Sequence, residues 1–402
     1  MIVNIIPSKA KGNIWAPTSK SMAHRDLICA AFTGGSEILG DFNSRDIKAT
    51  LGCLKAMGAK ITETENGIII GGLNPFAPQC SDSLFCDESG STLRFLIPLC
   101  LISGEEITLT GSERLFERPL SVYEELCAAT GLEFEKGKDY VTLKGPLKSG
   151  TYKVAGNISS QFISGLLFSL PLLEGDSVIE IDGSAESLSY IKLTLKALED
   201  FGIRIISEGE STLIIPGNQS YCSKELSVEG DFSNAAFFEA LNLLGGNVTI
   251  ENLPKTSFQG DRVYKELFLE LSQKNTTIDI TDCPDLALIL FVVAAAKHGA
   301  TFTGTARLKI KESDRATAMQ QELSKFGARV IVGENTVVVE KTELCKPKEM
   351  LCAHNDHRIV MALSILCTIL GGTIEDAEAV AKSYPLFFKD LASLGIEMKV
   401  SE

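Results

Sequence analysis

Six stretches of this chain are apolar on every side, and each stops close to a glycine. They cover residues 24–32, 93–102, 162–173, 235–244, 286–296 and 359–370, with Gly34, Gly104, Gly175, Gly245, Gly299 and Gly371 behind them. A helix that is hydrophobic all round is a buried helix, and a glycine just past its end can adopt the left-handed cap. The spacing predicts six core helices, three in each half. After each glycine comes a short β-type run, such as 106–109, 178–181, 248–250 and 301–302. Amphipathic stretches then close on a second glycine in Met57-Gly58-Ala59, Thr130-Gly131-Leu132, Phe201-Gly202-Ile203, Phe326-Gly327-Ala328 and Leu394-Gly395-Ile396. One unit of roughly seventy residues therefore recurs six times. The fourth copy lacks the closing phrase, because 267–275 runs almost directly into 276–280; it reads as trimmed by a strand or two.

At 402 residues and 45% apolar composition the chain can bury two cores, since single cores rarely exceed ~250 to 300 residues. A doubly wound α/β sheet is the alternative that alternating apolar stretches allow. Against it, neither a GxGxxG nor a GxxxxGK[ST] phosphate loop follows a predicted strand.

The net charge of -14 argues against nucleic acid and against anionic lipid as partners, so an anionic ligand must meet a local basic pocket. Eleven cysteines without CxxC spacing fit reduced, buried thiols better than a disulfide framework or a zinc site. Residues 1–9 show no secretory signal, and 286–296 is too short for a bilayer span of ~20 residues. A cytoplasmic location and no membrane are the expectation.

The openers of the six buried helices carry the chemistry. They are Thr18-Ser19-Lys20-Ser21, Ser89-Gly90-Ser91-Thr92, Ser159-Ser160-Gln161, Asp231-Phe232-Ser233-Asn234, Asp282-Cys283-Pro284-Asp285 and Asn355-Asp356-His357-Arg358. Six ordinary N-caps would account for the Ser, Asn and Asp residues. Capping does not explain Lys20, Arg25, Arg94 and Arg358, because a helix N-terminus favours negative charge. Cations there call for a counter-charge, which a phosphate or carboxylate ligand supplies. Ser21 and Arg25 share one helix face, as do Lys20 and His24. Lys311-Glu312-Ser313-Asp314-Arg315 reads equally as a solvated charged face, and Arg118 as a surface ion pair beside the helix-starting Pro119.

Taken together, six ordered motifs resemble the EPSP synthases. They are Ala16-Pro17-Thr18-Ser19-Lys20-Ser21-Met22-Ala23-His24-Arg25, Gly90-Ser91-Thr92-Leu93-Arg94, Glu117-Arg118-Pro119-Leu120, Ser159-Ser160-Gln161-Phe162, Lys311-Glu312-Ser313-Asp314-Arg315 and Asn355-Asp356-His357-Arg358. The resemblance runs from Lys20 to Lys382. It implies a two-domain inverse α/β barrel with three βαβαββ repeats per domain and the active site in the interdomain cleft. The implied domains are 18–230 and 1–17 plus 231–402, the second with the shortened fourth repeat.

The implied activity is enolpyruvyl transfer from phosphoenolpyruvate to the 5-hydroxyl of shikimate 3-phosphate, without a cofactor or a metal, by a monomer. By resemblance, Lys20, Ser21, Arg25, Ser159, Ser160, Gln161, Ser187, Tyr190, Asp285 and Lys311 hold shikimate 3-phosphate. Lys20, Gly90, Arg118, Gln161, Arg315, Arg358 and Lys382 hold phosphoenolpyruvate. Asp285 and Glu312 match the base and acid positions, with Lys20 beside them in catalysis. The chain departs from the family at Asp87-Glu88-Ser89-Gly90, where many members have Gly-Asn-Ala-Gly or Gly-Asn-Ser-Gly; extra negative charge thus stands beside the expected phosphoenolpyruvate pocket. The related UDP-N-acetylglucosamine enolpyruvyl transferases are disfavoured by the absence of a loop cysteine in a glycine-rich phrase and of an Asn-Ala start. A non-catalytic anion-binding scaffold is disfavoured by the paired Asp285 and Glu312.

Overall fold

The structure is a computed structural model that describes residues 1–80, 83–156, 158–183 and 187–401. The chain divides into two compact units, one built from Met1–Pro17 with Gly230–Glu402 and the other from Thr18–Glu229, each with its own hydrophobic core. The six apolar stretches form the helices Lys20–Ala31, Gly90–Cys100, Ser160–Ser169, Phe232–Leu243, Ala287–Ala296 and His357–Leu370. In Ala287–Ala296 every residue through Ala295 is buried, as a helix without a polar face requires.

Each complete repeat has one sheet pattern. A strand enters the buried helix, the strand after that helix lies parallel to it, and an antiparallel hairpin follows the amphipathic helix. In the third repeat these are Thr151–Ala155, Ser177–Asp182, Thr212–Ile215 and Ile206–Glu208. Two repeats borrow strands from far along the chain. Glu225–Ser227 supplies the parallel edge beside Ser36–Leu39, and the N-terminal Ile2–Ile5 lies antiparallel to both Gly372–Glu375 and Met398–Ser401. The fourth repeat is short by one hairpin: Asn247–Glu251 pairs only with Lys11–Trp15 among the described strands, and helix Tyr264–Gln273 leads straight into Thr276–Asp279.

The closing-phrase glycines all lie at positive φ, Gly58 at 109°, Gly131 at 72°, Gly202 at 82°, Gly327 at 82° and Gly395 at 86°. The glycines behind the buried helices are less uniform. Gly104, Gly245, Gly299 and Gly371 take positive φ, while behind the first helix Gly35 does so in place of Gly34.

Helix Ser160–Ser169 packs against Gly90–Cys100 at Gly165, where a Cβ would run into the Tyr123 hydroxyl and the Arg94 carbonyl. That hydroxyl lies 2.7 Å from the Arg94 carbonyl and 3.1 Å from that of Phe162, satisfying both inside the core. Gly165→Ala sets a helix-propensity gain of about 1 kcal/mol against an overpacking cost of about 1–3 kcal/mol. Because the obstructing atoms are backbone and a buried phenol, the cost wins, and the midpoint of urea unfolding falls. A midpoint equal to or above wild type contradicts this packing.

Candidate active site

In the unit 18–229, helix Lys20–Ala31 presents its first cation to a carboxylate: Lys20 Nζ lies 2.8 Å from Asp46 Oδ2, with both side chains largely buried. One turn on, Arg25 faces inward. Its Nη1 donates to the Ser21 carbonyl at 2.5 Å, Nη2 to the Tyr190 carbonyl at 3.0 Å and Nε to Thr194 Oγ1 at 2.8 Å, with the guanidinium 5.1 Å over the Phe95 ring. Burial lowers the Arg25 pKa to about 10. The expected residues Ser21, Arg25 and Tyr190 are thus joined, Ser21 and Tyr190 through their backbone carbonyls. Ser187 begins the helix carrying Tyr190, buried and at φ 59°.

His24 opens a buried relay linking three helices. Its Nδ1 lies 2.8 Å from Thr50 Oγ1, Thr50 Oγ1 lies 2.6 Å from Thr92 Oγ1, and Thr92 donates to Ser89 Oγ at 2.7 Å. Ser89 in turn caps the helix by accepting from the Thr92 N–H. Burial, then Lys20 and Arg25, push the His24 pKa well below its ordinary value, so the ring is neutral.

Gly90 and Arg118 meet directly. A Cβ on Gly90 would lie 2.7 Å from Arg118 Nη1 and 2.9 Å from its Cζ, so a side chain at this helix start would push the guanidinium from where it lies. Beside them Gln161 donates from Nε2 to Ser91 Oγ at 2.9 Å and accepts on Oε1 from Arg94 Nη1 at 2.8 Å; Arg94 Nη2 also donates to the Pro119 carbonyl. Ser159 caps this helix through the Gln161 N–H, and Ser160 is buried behind it. The charge added at Asp87 is met by a two-pronged contact from Arg45, 3.0 Å from Nε and 2.8 Å from Nη2.

In the unit formed by 1–17 and 230–402, one guanidinium joins three carboxylates. Arg315 lies 3.0 Å from Asp285 through Nη1, 2.9 Å from Glu312 through Nη2 and 2.8 Å from Asp356 through Nε. Burial works against its charge, yet Asp356, Glu312 and Asp285 together raise its pKa above the ordinary arginine value. Asp285 also meets Arg358 Nη2 at 3.0 Å and Lys311 Nζ at 3.5 Å. Arg358 Nη1 donates to Ser233 Oγ at 2.5 Å and to the Asp285 carbonyl at 3.2 Å. Burial lowers the Lys311 pKa, opposed by Asp285. Lys382, itself buried, donates to the Asn355 carbonyl.

Three participants escaped the sequence reading. Asp356 is fully buried, caps helix His357–Leu370 through the Arg358 N–H and receives Ser313 Oγ at 3.1 Å; its cap character was legible, its second partner was not. Asp46 opens an amphipathic helix and reads as first-turn acidity. Asp261 lies in the irregular turn of the shortened fourth repeat, where no period marks it. Burial, then Asp285 and Asp231, raise its pKa against the pull of Arg358 and a Ser233 hydrogen bond.

The sequence profile of the EPSP synthase (3-phosphoshikimate 1-carboxyvinyltransferase) family matches residues 5–391. The chain is 42% identical to the 3-phosphoshikimate 1-carboxyvinyltransferase of Clostridium kluyveri, covering 98% of each chain, and 40% identical to that of Clostridium acetobutylicum, covering 98% of this chain and 97% of the relative. A solved EPSP synthase from Acinetobacter baumannii superposes with a TM-score of 0.81 at 23% identity over 100% of both chains.

Asp26, next to Arg25, gives a pH test of this helix. Burial, then Asp200, raise its pKa from 3.8 to about 8 against Arg25. The folded state therefore holds a proton that the unfolded state releases near 3.8. The stability this confers is fully present below 3.8 and is lost as pH rises toward about 8, by an amount on the order of a few kcal/mol. Asp26→Asn removes that slope. Urea midpoints at pH 5 and pH 8.5 should converge in the variant relative to wild type; equal pH slopes in the two proteins rule the assignment out.

Proposed function

Because the chain belongs to the EPSP synthase family, we propose that the two clusters just described carry one reaction, enolpyruvyl transfer from phosphoenolpyruvate to shikimate 3-phosphate in the shikimate pathway. The fold is that of the solved family members. Among the described residues no helix is long and apolar enough to cross a membrane. The eleven cysteines are all unbridged, which suits a reducing cytoplasm, and we take the working form to be a monomer.

The reaction forms a bond between the 5-hydroxyl oxygen of shikimate 3-phosphate and the central carbon of phosphoenolpyruvate, with a proton added to its methylene. The carbon–oxygen bond to phosphate then breaks, and a proton leaves the new methyl group to give the enol ether. The observation that carries the site assignment is Arg315 joining Asp285 to Glu312 through one buried guanidinium. Two carboxylates held by a common cation are fixed in orientation, as proton transfer requires. Asp285 takes the hydroxyl proton; Glu312 delivers the proton to the methylene carbon and takes one back; Lys20 assists, a role that rests on the family resemblance.

The remaining cations handle charge. Phosphoenolpyruvate is assigned to Lys20, Gly90, Arg118, Gln161, Arg315, Arg358 and Lys382, and shikimate 3-phosphate to Lys20, Ser21, Arg25, Ser159, Ser160, Gln161, Ser187, Tyr190, Asp285 and Lys311. Support comes from Arg118 lying against Gly90 with Gln161 and Arg94 beside it, where guanidinium and helix N–H groups converge. Fixed cations stabilise developing charge most where water is excluded.

Phosphate release measured with both substrates tests the reading. Lys20→Met lowers kcat/KM by about a hundredfold or more while circular dichroism stays unchanged, because its ammonium touches Asp46 at a helix start outside the packed core. A rate within twofold of wild type removes Lys20 from the site. Arg118→Ala raises KM for phosphoenolpyruvate about tenfold more than KM for shikimate 3-phosphate. Equal rises in both contradict its assignment to the smaller anion.

A further inference from the structure

His354 and Asn355 stand side by side in the left-handed region, at φ 49° and 51°, directly before the helix that carries Arg358. Left-handed backbone is disfavoured for L-residues, and two in succession persist only where the surroundings hold them. The restraint is visible. His354 Nε2 lies 3.0 Å from Oε1 of Glu322, a carboxylate only 2% exposed. The other oxygen, Oε2, accepts from Lys325 Nζ and from the Cys352 N–H, both at 2.9 Å, and Lys325 also reaches the Met350 carbonyl. Burial alone raises the Glu322 pKa; the hydrogen bonds from His354 and Lys325 and the Cys352 N–H outweigh it and leave it below the ordinary carboxylate value.

The position of this carboxylate gives it a function. Glu322 belongs to helix Arg315–Ser324, whose first residue is the Arg315 that joins Asp285, Glu312 and Asp356. The same helix is therefore tied at both ends to the 351–358 segment, through Asp356 at its start and through His354 and Cys352 at its finish. Between these ties stands Asn355, whose carbonyl accepts from Lys382.

We propose that Glu322 and His354 form a clamp that sets the strained 354–355 turn, and thereby the backbone carbonyl that positions Lys382 for phosphoenolpyruvate. Both are positioning residues and touch no reacting atom. The proposal rests on the assignment of Lys382 to phosphoenolpyruvate made above.

His354→Gly isolates the clamp, since glycine takes positive φ without strain and only the imidazole is lost. His354→Gln restores an amide N–H able to reach Glu322 and is the rescue. Steady-state kinetics on the full chain should show KM for phosphoenolpyruvate raised about fivefold or more in His354→Gly, with kcat, KM for shikimate 3-phosphate and Tm near wild type, and largely recovered in His354→Gln. The clamp is overturned by an unchanged phosphoenolpyruvate KM in His354→Gly, by equal rises in both KM values, or by a glutamine variant no better than glycine. Lys382→Met, assayed alongside, separates the two claims. If it leaves the phosphoenolpyruvate KM unchanged, the Lys382 assignment fails whatever His354 does; if it raises that KM while His354→Gly does not, only the clamp fails.

Discussion

A fully buried guanidinium between three carboxylates is the interaction on which the C-terminal unit depends. Taking Arg315 and its partners out of water is costly, and their mutual attraction offsets that cost only when geometry satisfies most of the donors and acceptors. Here it does: Nε, Nη1 and Nη2 each face a carboxylate oxygen, and Asp356 is further engaged by Ser313 and by the Arg358 N–H. Loss of the cation would leave Asp356 as a buried charge without its cation, a situation worth about 3–5 kcal/mol against the fold. The same arrangement fixes the candidate acid and base in relation to each other. Stability and the proposed chemistry thus meet at one side chain.

The cations at helix starts pose an electrostatic problem that the chain solves locally. A helix N-terminus carries partial positive charge, so Arg118 over Gly90 and Arg358 in the first turn of its helix are disfavoured by the dipole. Acceptors on the first turn reduce the conflict. Asp356 caps the helix of Arg358, while Ser89 caps the helix of Gly90 and is tied through Thr92 and Thr50 to His24. A neutral His24 suits that position, since a further positive charge beside Lys20 and Arg25 would oppose both.

Much of the architecture was legible because its signals repeat. Apolar stretches without a polar face can only be buried, and residues 286–296 could have been little else. The missing closing phrase in the fourth copy announced a shortened repeat, and the structure shows one hairpin fewer there. The N-terminal strand beside Gly372–Glu375 was implied only by resemblance, because no local pattern records a partner hundreds of residues away. In the candidate site, the helix openers pointed to the cations but not to their counter-charges. Asp261 and Glu322 were missed for opposite reasons: one sits in an irregular turn, the other reads as an ordinary polar position on an amphipathic helix. Arg94 carries the same helix-start signal as Arg25 and Arg358 and lies in a motif of the resemblance, yet it received no ligand assignment; the structure sets it against Gln161. Gly90 and Arg118 were grouped by resemblance alone; that the guanidinium lies against the Gly90 Cα depends on space no sequence pattern records.

Six copies of one unit need not do six copies of one task, and the partners of their cations show how they diverged. In the unit 18–229, Arg25 and Arg94 are held by neutral acceptors: the Ser21, Tyr190 and Pro119 carbonyls, Thr194 and Gln161. In the other unit, Arg315 and Arg358 are held chiefly by carboxylates. A guanidinium fixed by neutral dipoles keeps its whole charge for an incoming anion, whereas one fixed by carboxylates also orients those carboxylates. Lys20 with Asp46 is the exception in the first unit, and it is the cation there assigned to the chemistry. The division follows from what precedes each buried helix, serines and glycine in one half and aspartates in the other. A few positions at the helix starts therefore give the two halves of one repeated fold different partners for their cations, neutral acceptors in one and carboxylates in the other.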